Sequence, residues 1–278
     1  MADLRELAGR LAALAVEEAA PRAIRLTGSV ARGEDDEWSD VDLILYYDAL
    51  PGEAQREAIR VAAGGGPAQA MGASDSGVVE QYVVDGTYCQ LAHVTVAGWE
   101  RDLDQALAGE ESELPSGKMV AGLFESEALH GADLVEAWRS RSAYPDALRR
   151  TLVERHWRIF PLWFIEGSMR ARDAEVWMRE VLVEAAFDLL GVLSALNGVW
   201  FSRFQLKQTR GAVDKLAIAP PRLYERLLLL ASGEIHAAVL ELEGLVEETA
   251  ALVAEHLPEA QIPFGRRPGE RLPARPSL

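Results

Sequence analysis

Residues 26–47 read LTGSVARGEDDEWSDVDLILYY, and this stretch decides how the rest of the chain is read. The short apolar run from Ala23 to Leu26 runs into Thr27-Gly28-Ser29, the pattern of a strand that ends in a turn. Ten residues separate Ser29 from Asp40, enough for the chain to return to a neighbouring strand. That strand is Val41 to Tyr47, β-rich and closed by Pro51-Gly52. Glycine at 28 lets the backbone approach a phosphate, while Ser29 and the free N–H groups of the turn offer donors to its oxygens. Asp40 and Asp42 sit two apart on an extended segment, so both carboxylates face one side and Val41 the other. Two such carboxylates are hard oxygen ligands for a shared Mg²⁺, with substrate phosphates completing the shell.

Working outward, residues 3–19 place Leu4, Leu7, Leu11, Leu14 and Val16 at helical spacing. Residues 53–63 repeat that pattern, and the glycine-rich stretch from Gly64 to Gly77 reads as a loop. Val78 to Val84 and Tyr88 to Val96 are β-rich runs joined by Asp85-Gly86-Thr87, a strong local hairpin signal. From Trp99 onward no further strand is expected. Helical patterns fill 99–109, 116–126, 132–141, 145–170, 173–197, 220–231 and 234–256. Strands followed by helices predict an α+β domain over 1–143 and a helical bundle over 144–257, divided near Ser142-Ala143-Tyr144-Pro145. The proline-rich tail 258–278 reads as an extended strap.

The chain has 278 residues, with 49% apolar and 26% charged, the balance of a globular protein. No stretch is apolar and long enough for a membrane span, and the first residues form an amphipathic helix rather than a leader. Cys89 is the single cysteine, so no internal disulfide exists, and a reducing cytoplasm is expected. The net charge of −16 argues against a nucleic-acid partner and is compatible with a small cationic ligand.

Gly28-Ser29-Val30-Ala31-Arg32-Gly33 followed by Ser39-Asp40-Val41-Asp42-Leu43 resembles the signature of the polymerase-β-like nucleotidyltransferase superfamily. Within it the chain looks similar to bacterial antibiotic nucleotidyltransferases, which join a small mixed-sheet domain to a helical bundle. The resemblance implies that Gly28 and Ser29 bind the β/γ-phosphates of a nucleoside triphosphate, most simply ATP. By the same resemblance Asp40 and Asp42 hold the Mg²⁺. Arg32 either lies near the phosphates or braces the loop. The family usually places a third carboxylate on a later strand, and Gln90 occupies that place by order, giving the metal a neutral oxygen instead of a charge. Glu80 on the partner strand is the nearest alternative acid, set against the plainer reading of a solvent-facing strand position.

In the helical part Glu180, Glu184 and Asp188 fall at i, i+4 and i+8 on one helix face. The run Val183-Glu184-Ala185-Ala186-Phe187-Asp188 resembles the base-bearing helix of kanamycin-type nucleotidyltransferases. That implies Asp188 as general base and Glu184 as an acidic neighbour for an amine. The helix is apolar nearly all round, so its acids are expected to line an internal cleft. Trp157, Phe160, Trp163 and Phe164 read as packing residues, and Lys207 as a candidate triphosphate contact. The resulting expectation is a two-domain enzyme acting from the cleft between its domains. It would transfer a nucleoside monophosphate to a hydroxyl of a small, cationic acceptor such as an aminoglycoside or lincosamide. The alternatives are a nucleotide-binding protein with feeble catalysis, or a protein-modifying or antitoxin-like nucleotidyltransferase.

Overall fold

The computed structural model describes residues 3–109, 116–159, 165, 169 and 172–262. The chain divides into two compact units, Met1–Ala143 and Tyr144–Leu278. The first holds a mixed six-stranded sheet and the second is helical, an α+β architecture.

The first unit opens with α1 (Leu4–Ala19), started by Asp3, whose carboxylate accepts from the N–H groups of Arg5 and Glu6. Next come β1 (Ala23–Thr27), the short α2 (Gly28–Arg32), β2 (Val41–Tyr47) and α3 (Glu53–Ala62). Three strands follow, β3 (Gln69–Ser74), β4 (Gly77–Val84) and β5 (Thr87–Thr95). The unit closes with α4 (Val96–Ala108), α5 (Ser116–Phe124), β6 (Glu127–His130) and α6 (Ala132–Arg141). Strand order is β3-β4-β5-β2-β1-β6. Every neighbouring pair is antiparallel except β2 with β5, which run parallel.

Alternation along the strands sorts residues to two faces. Val41, Leu43, Leu45, Cys89 and Leu91 pack with Leu7 and Leu11 of α1 and Ile59 of α3 into one core. On the opposite face Tyr46 meets Trp99 of α4 and Trp138 of α6 at 5.3 and 4.7 Å between ring centres. Arg25 of β1 is buried in this aromatic box, with its guanidinium 4.6 Å from the Trp99 ring. It donates to the hydroxyl of Tyr46 and to the Gly122 carbonyl at 3.1 Å, so among the described residues the buried cation is hydrogen-bonded without a carboxylate. Burial pushes the Tyr46 phenol up to about 12, against the opposing pull of Arg25.

Two expectations fail in this unit. The stretch 64–77 is not all loop, because Gln69–Ser74 pairs with β4, and a strand does follow Trp99, because Glu127–His130 pairs with β1. Both are edge strands with no apolar alternation of their own, formed because a neighbour offers unpaired N–H and C=O groups.

The second unit contains α7 (Asp146–His156), α8 (Glu175–Leu196), a 3₁₀ turn (Arg203–Gln208), α9 (Thr209–Val213), α10 (Leu223–Ser232) and α11 (Ile235–His256). Helix α7 ends at His156 and does not run to 170 as its spacing suggests. Phe160, Trp163 and Phe164 lie outside the described residues, as does the tail from 263, whereas Trp157 is buried in the bundle core. That core is built on Leu182, Leu189 and Leu193 of α8 with Leu227 of α10 and Leu242 and Leu245 of α11. Gly191 lets α8 approach α7: a Cβ there would stand 2.4 Å from the His156 ring. No helix among the described residues is long and apolar enough to cross a membrane.

Candidate functional site

Gly28 is where β1 turns into α2, and its φ of +73° is a conformation that side-chain-bearing residues rarely adopt. A Cβ on Gly28 would lie 2.6 Å from Oδ2 of Asp42. The turn and the carboxylate therefore touch, and only a residue without a side chain permits it. Pairing enforces this closeness, because Thr27 lies opposite Asp42 in the β1–β2 register.

The loop between α2 and β2 is tied to the same turn. Ser29 Oγ donates to Ser39 Oγ at 2.9 Å, and Ser39 Oγ donates to Oδ1 of Asp36 at 3.0 Å. The same Asp36 oxygen accepts the Trp38 N–H at 3.0 Å, while the Asp36 N–H donates to Ser39 Oγ at 2.9 Å. This network sets the chain direction just ahead of Asp40, while the sheet register places Asp42. The Arg32 guanidinium is paired with Glu34 and lies 3.8 Å from Glu125.

Gln90 lies directly beside Asp42 in the parallel β2–β5 register. Neighbouring strands are about 5 Å apart and paired residues share a face, so the amide lies on the face of Asp42, one strand spacing away. Glu80 does not. It pairs with Leu91 and lies on the other face, 3.3 Å from Nε of Arg56 and 3.6 Å from Nε2 of His93. Burial would raise its carboxyl, but His93 and Arg56 together overcome this and hold it below the usual range. Glu80 is thus neither a metal-facing acid nor the solvent-facing residue that was the plainer expectation.

Among the described residues no group of three or more His, Cys, Asp or Glu side chains could hold a metal. The donors that the geometry places at Gly28 are the Asp42 carboxylate and, one strand over, the Gln90 amide. That set fits Mg²⁺, which is usually held by one or two carboxylates with phosphates and water.

In the helical unit Glu184 is exposed and grips Arg203 through two hydrogen bonds of 2.9 and 2.6 Å. Its charge is already matched, which corrects the picture of an acid lining an internal cleft and waiting for an amine. Arg203 also stacks 4.6 Å over Phe187. Asp188, one turn on, is half-buried, and its carboxyl is raised by burial, with Arg203 opposing and Glu184 reinforcing the shift. Glu180 and Lys207 are exposed, the latter on the 3₁₀ turn.

Residues 5–66 match the nucleotidyltransferase domain family. The match spans 62 of the 278 residues. The matched segment contains Gly28, Ser29, Asp40 and Asp42, and the domain is that of a transferase enzyme. Comparison with curated proteins gives no match. Among solved structures the chain is similar to a nucleotidyltransferase-like protein from Exiguobacterium sibiricum 255-15, at 15% identity and a TM-score of 0.37. That alignment covers 85% of this chain and 72% of the other, and it is too loose to bear on function.

What sequence reading missed is the contact between Gly28 and Asp42, which brings the turn and the carboxylate together. The signal was present in the Gly-Ser turn ahead of Asp-X-Asp, but the register that brings them together is a property of the sheet.

Proposed function

We propose that the chain moves a nucleoside monophosphate from a nucleoside triphosphate, most simply ATP, to a hydroxyl of a small acceptor, releasing pyrophosphate. The observation that carries this reading is the approach of the Gly28 turn to the Asp42 carboxylate, with Gln90 paired beside it. Backbone N–H groups of the turn and Ser29 would orient the phosphates, while Asp40 and Asp42 would hold the divalent cation. When bound, that cation neutralises charge on the reacting phosphate and aligns it for in-line displacement. Asp188 is the candidate to accept the acceptor's proton, because a carboxyl raised by burial is better suited to that task than an ordinary one.

An aminoglycoside or lincosamide antibiotic is the first acceptor to try, supported by the resemblance of the 28–43 segment and the net charge of −16. The test is a panel of these compounds incubated with ATP and Mg²⁺ and read by mass for a nucleotide adduct. Absence of any adduct, with pyrophosphate release no higher than in an Asp42→Asn control, would reject the proposal for these acceptors.

Gln90 favours a second reading, binding with feeble turnover, since an amide supplies no charge for a second cation. Gln90→Asp then lowers the Mg²⁺ concentration needed for half-maximal pyrophosphate release and raises turnover. An unchanged metal requirement would reject Gln90 as the cause of weak catalysis.

A further inference from the structure

Proton counting in the loop ahead of Asp40 fixes where the Ser29 hydrogen points. Ser39 Oγ meets the Asp36 N–H at 2.9 Å, Asp36 Oδ1 at 3.0 Å and Ser29 Oγ at 2.9 Å. A backbone N–H only donates and a carboxylate only accepts, so two of these contacts have a set direction. The one proton of Ser39 is spent on Asp36. In the remaining contact Ser29 is therefore the donor, and its hydrogen points into the loop.

The Asp36 end of this relay is closed on itself. Oδ1 of Asp36 also accepts the Trp38 N–H at 3.0 Å, and the Ser39 N–H donates to the Asp36 carbonyl at 3.1 Å. Residues 36–39 thus keep their shape whether or not Ser29 joins them. The bond from Ser29 can be given up without unravelling the segment that leads to Asp40.

A proton committed to Ser39 has to be drawn away by whatever Ser29 is to bind. A neutral oxygen is no better an acceptor than Ser39 Oγ, so the exchange gains nothing. A phosphate oxygen carries charge, and a charge-assisted hydrogen bond is about twice as strong as a neutral one, so it wins the proton. We infer that Ser39 and Asp36 are positioning residues that hold the Ser29 hydrogen in reserve, so that this hydroxyl answers a charged oxygen and passes over a neutral one. The inference rests on the nucleotidyl-transfer reading above and deepens it with two residues that need touch no substrate. No covalent bond changes in the step. The hydrogen stays on Ser29 Oγ, one hydrogen bond to Ser39 is lost and one to the phosphate forms, while Ser39 keeps both of its bonds to Asp36.

The test is calorimetry of the full chain with Mg²⁺ and inorganic tripolyphosphate, a probe with phosphates but neither base nor sugar. Ser39→Ala abolishes the reserve without altering charge, and tripolyphosphate binds roughly two- to tenfold more tightly, the net worth of one neutral hydrogen bond. In a Ser29→Ala background the same substitution gives no such gain, and that comparison subtracts any loosening of the loop. Asp36→Ala and Asp36→Asn remove the same charge, but asparagine keeps an oxygen that accepts from Ser39. Asp36→Ala accordingly binds the probe roughly two- to tenfold more tightly than Asp36→Asn. A Ser39→Ala effect that is the same in both Ser29 backgrounds, or a loss of affinity confined to the Ser29 background, overturns the relay. Equal affinity of the two Asp36 variants also overturns it, and that pair decides alone if Ser39→Ala does not fold. Failure of tripolyphosphate to bind wild-type protein is a separate result, and it would take down the phosphate reading of the turn beneath.

Discussion

Replacing Gly28 with alanine perturbs two things at once, and the protein supplies a control that separates them. The first is backbone strain: a φ of +73° costs a residue with a Cβ about 1–2 kcal/mol. The second is a collision, since the new methyl would stand 2.6 Å from Oδ2 of Asp42. An ordinary carbon–oxygen contact is about 3.3 Å or more, so the carboxylate must retreat by several tenths of an ångström. Gly33, at the other end of α2, has a φ of +68° and nothing within 4 Å of its Cβ position. Gly33→Ala should therefore melt lower by the strain alone, roughly 3–8 °C, and Gly28→Ala by more, because the collision adds to it. Only Gly28→Ala should also weaken MgATP binding, by roughly 10- to 100-fold, the usual cost of disturbing a group that positions a metal ligand. Differential scanning calorimetry and MgATP titration read the two effects independently. Equal MgATP affinity in the two variants would refute the argument that the turn and the carboxylate form one site.

Asp40→Asn and Asp42→Asn should each reduce turnover roughly a hundredfold or more with the fold intact; retention of a tenth or more would show that the pair is misassigned. Asp188→Asn should lower the maximal rate roughly 10²–10⁴-fold and leave MgATP affinity unchanged, and a silent substitution would remove it as the base. Its raised carboxyl contributes stability that is present while it is protonated and lost as pH rises. Asp188→Asn should accordingly melt higher than wild type at neutral pH, with the gap shrinking on acidification; a lower melting point would contradict the burial argument. Burial, with Arg155, Arg158 and Arg203 adding to it, lowers His156 from 6.5 to about 4. The stability from its neutral ring is complete above pH 6.5 and lost as pH falls toward about 4, some 3 kcal/mol in all. His156→Phe should flatten that acid loss in pH-dependent melting of the helical unit, and an unchanged slope would point to other groups.

The parts of the fold that local chemistry dictates were legible in the sequence. The Asp85-Gly86 turn has φ of +51° and +81°, the conformation that this pair favours between two strands, and β4 and β5 follow from it. The β1–turn–β2 passage was equally plain, because an apolar run, a glycine and a second apolar run leave little choice. β3 and β6 were not legible, since QAMGAS and EALH become strands only by pairing with a neighbour. Arg25 was hidden for a related reason: a cation within an apolar run gives no hint that two tryptophans and a tyrosine will enclose it. At the site, the residue types were visible but not their partners. Glu184 read as an available acid because its mate Arg203 lies beyond the end of the helix that carries it. Glu80 read as solvent-facing because Arg56 and His93 reach it from α3 and β5.

The parallel seam between β2 and β5 joins two pieces of sheet that are each closed locally. On one side, β1, the Gly28 turn and β2 hold Ser29, Asp40 and Asp42. On the other, the β4–β5 hairpin holds Gln81, Tyr88 and Gln90. The first piece is constrained by the close approach at Gly28, where even a methyl group has no room. The second is bounded by a two-residue turn and carries its open-face side chains without such a constraint. Substitutions at 81, 88 and 90 leave the backbone of the Gly28 turn untouched, so one half of the sheet tolerates change that the other does not.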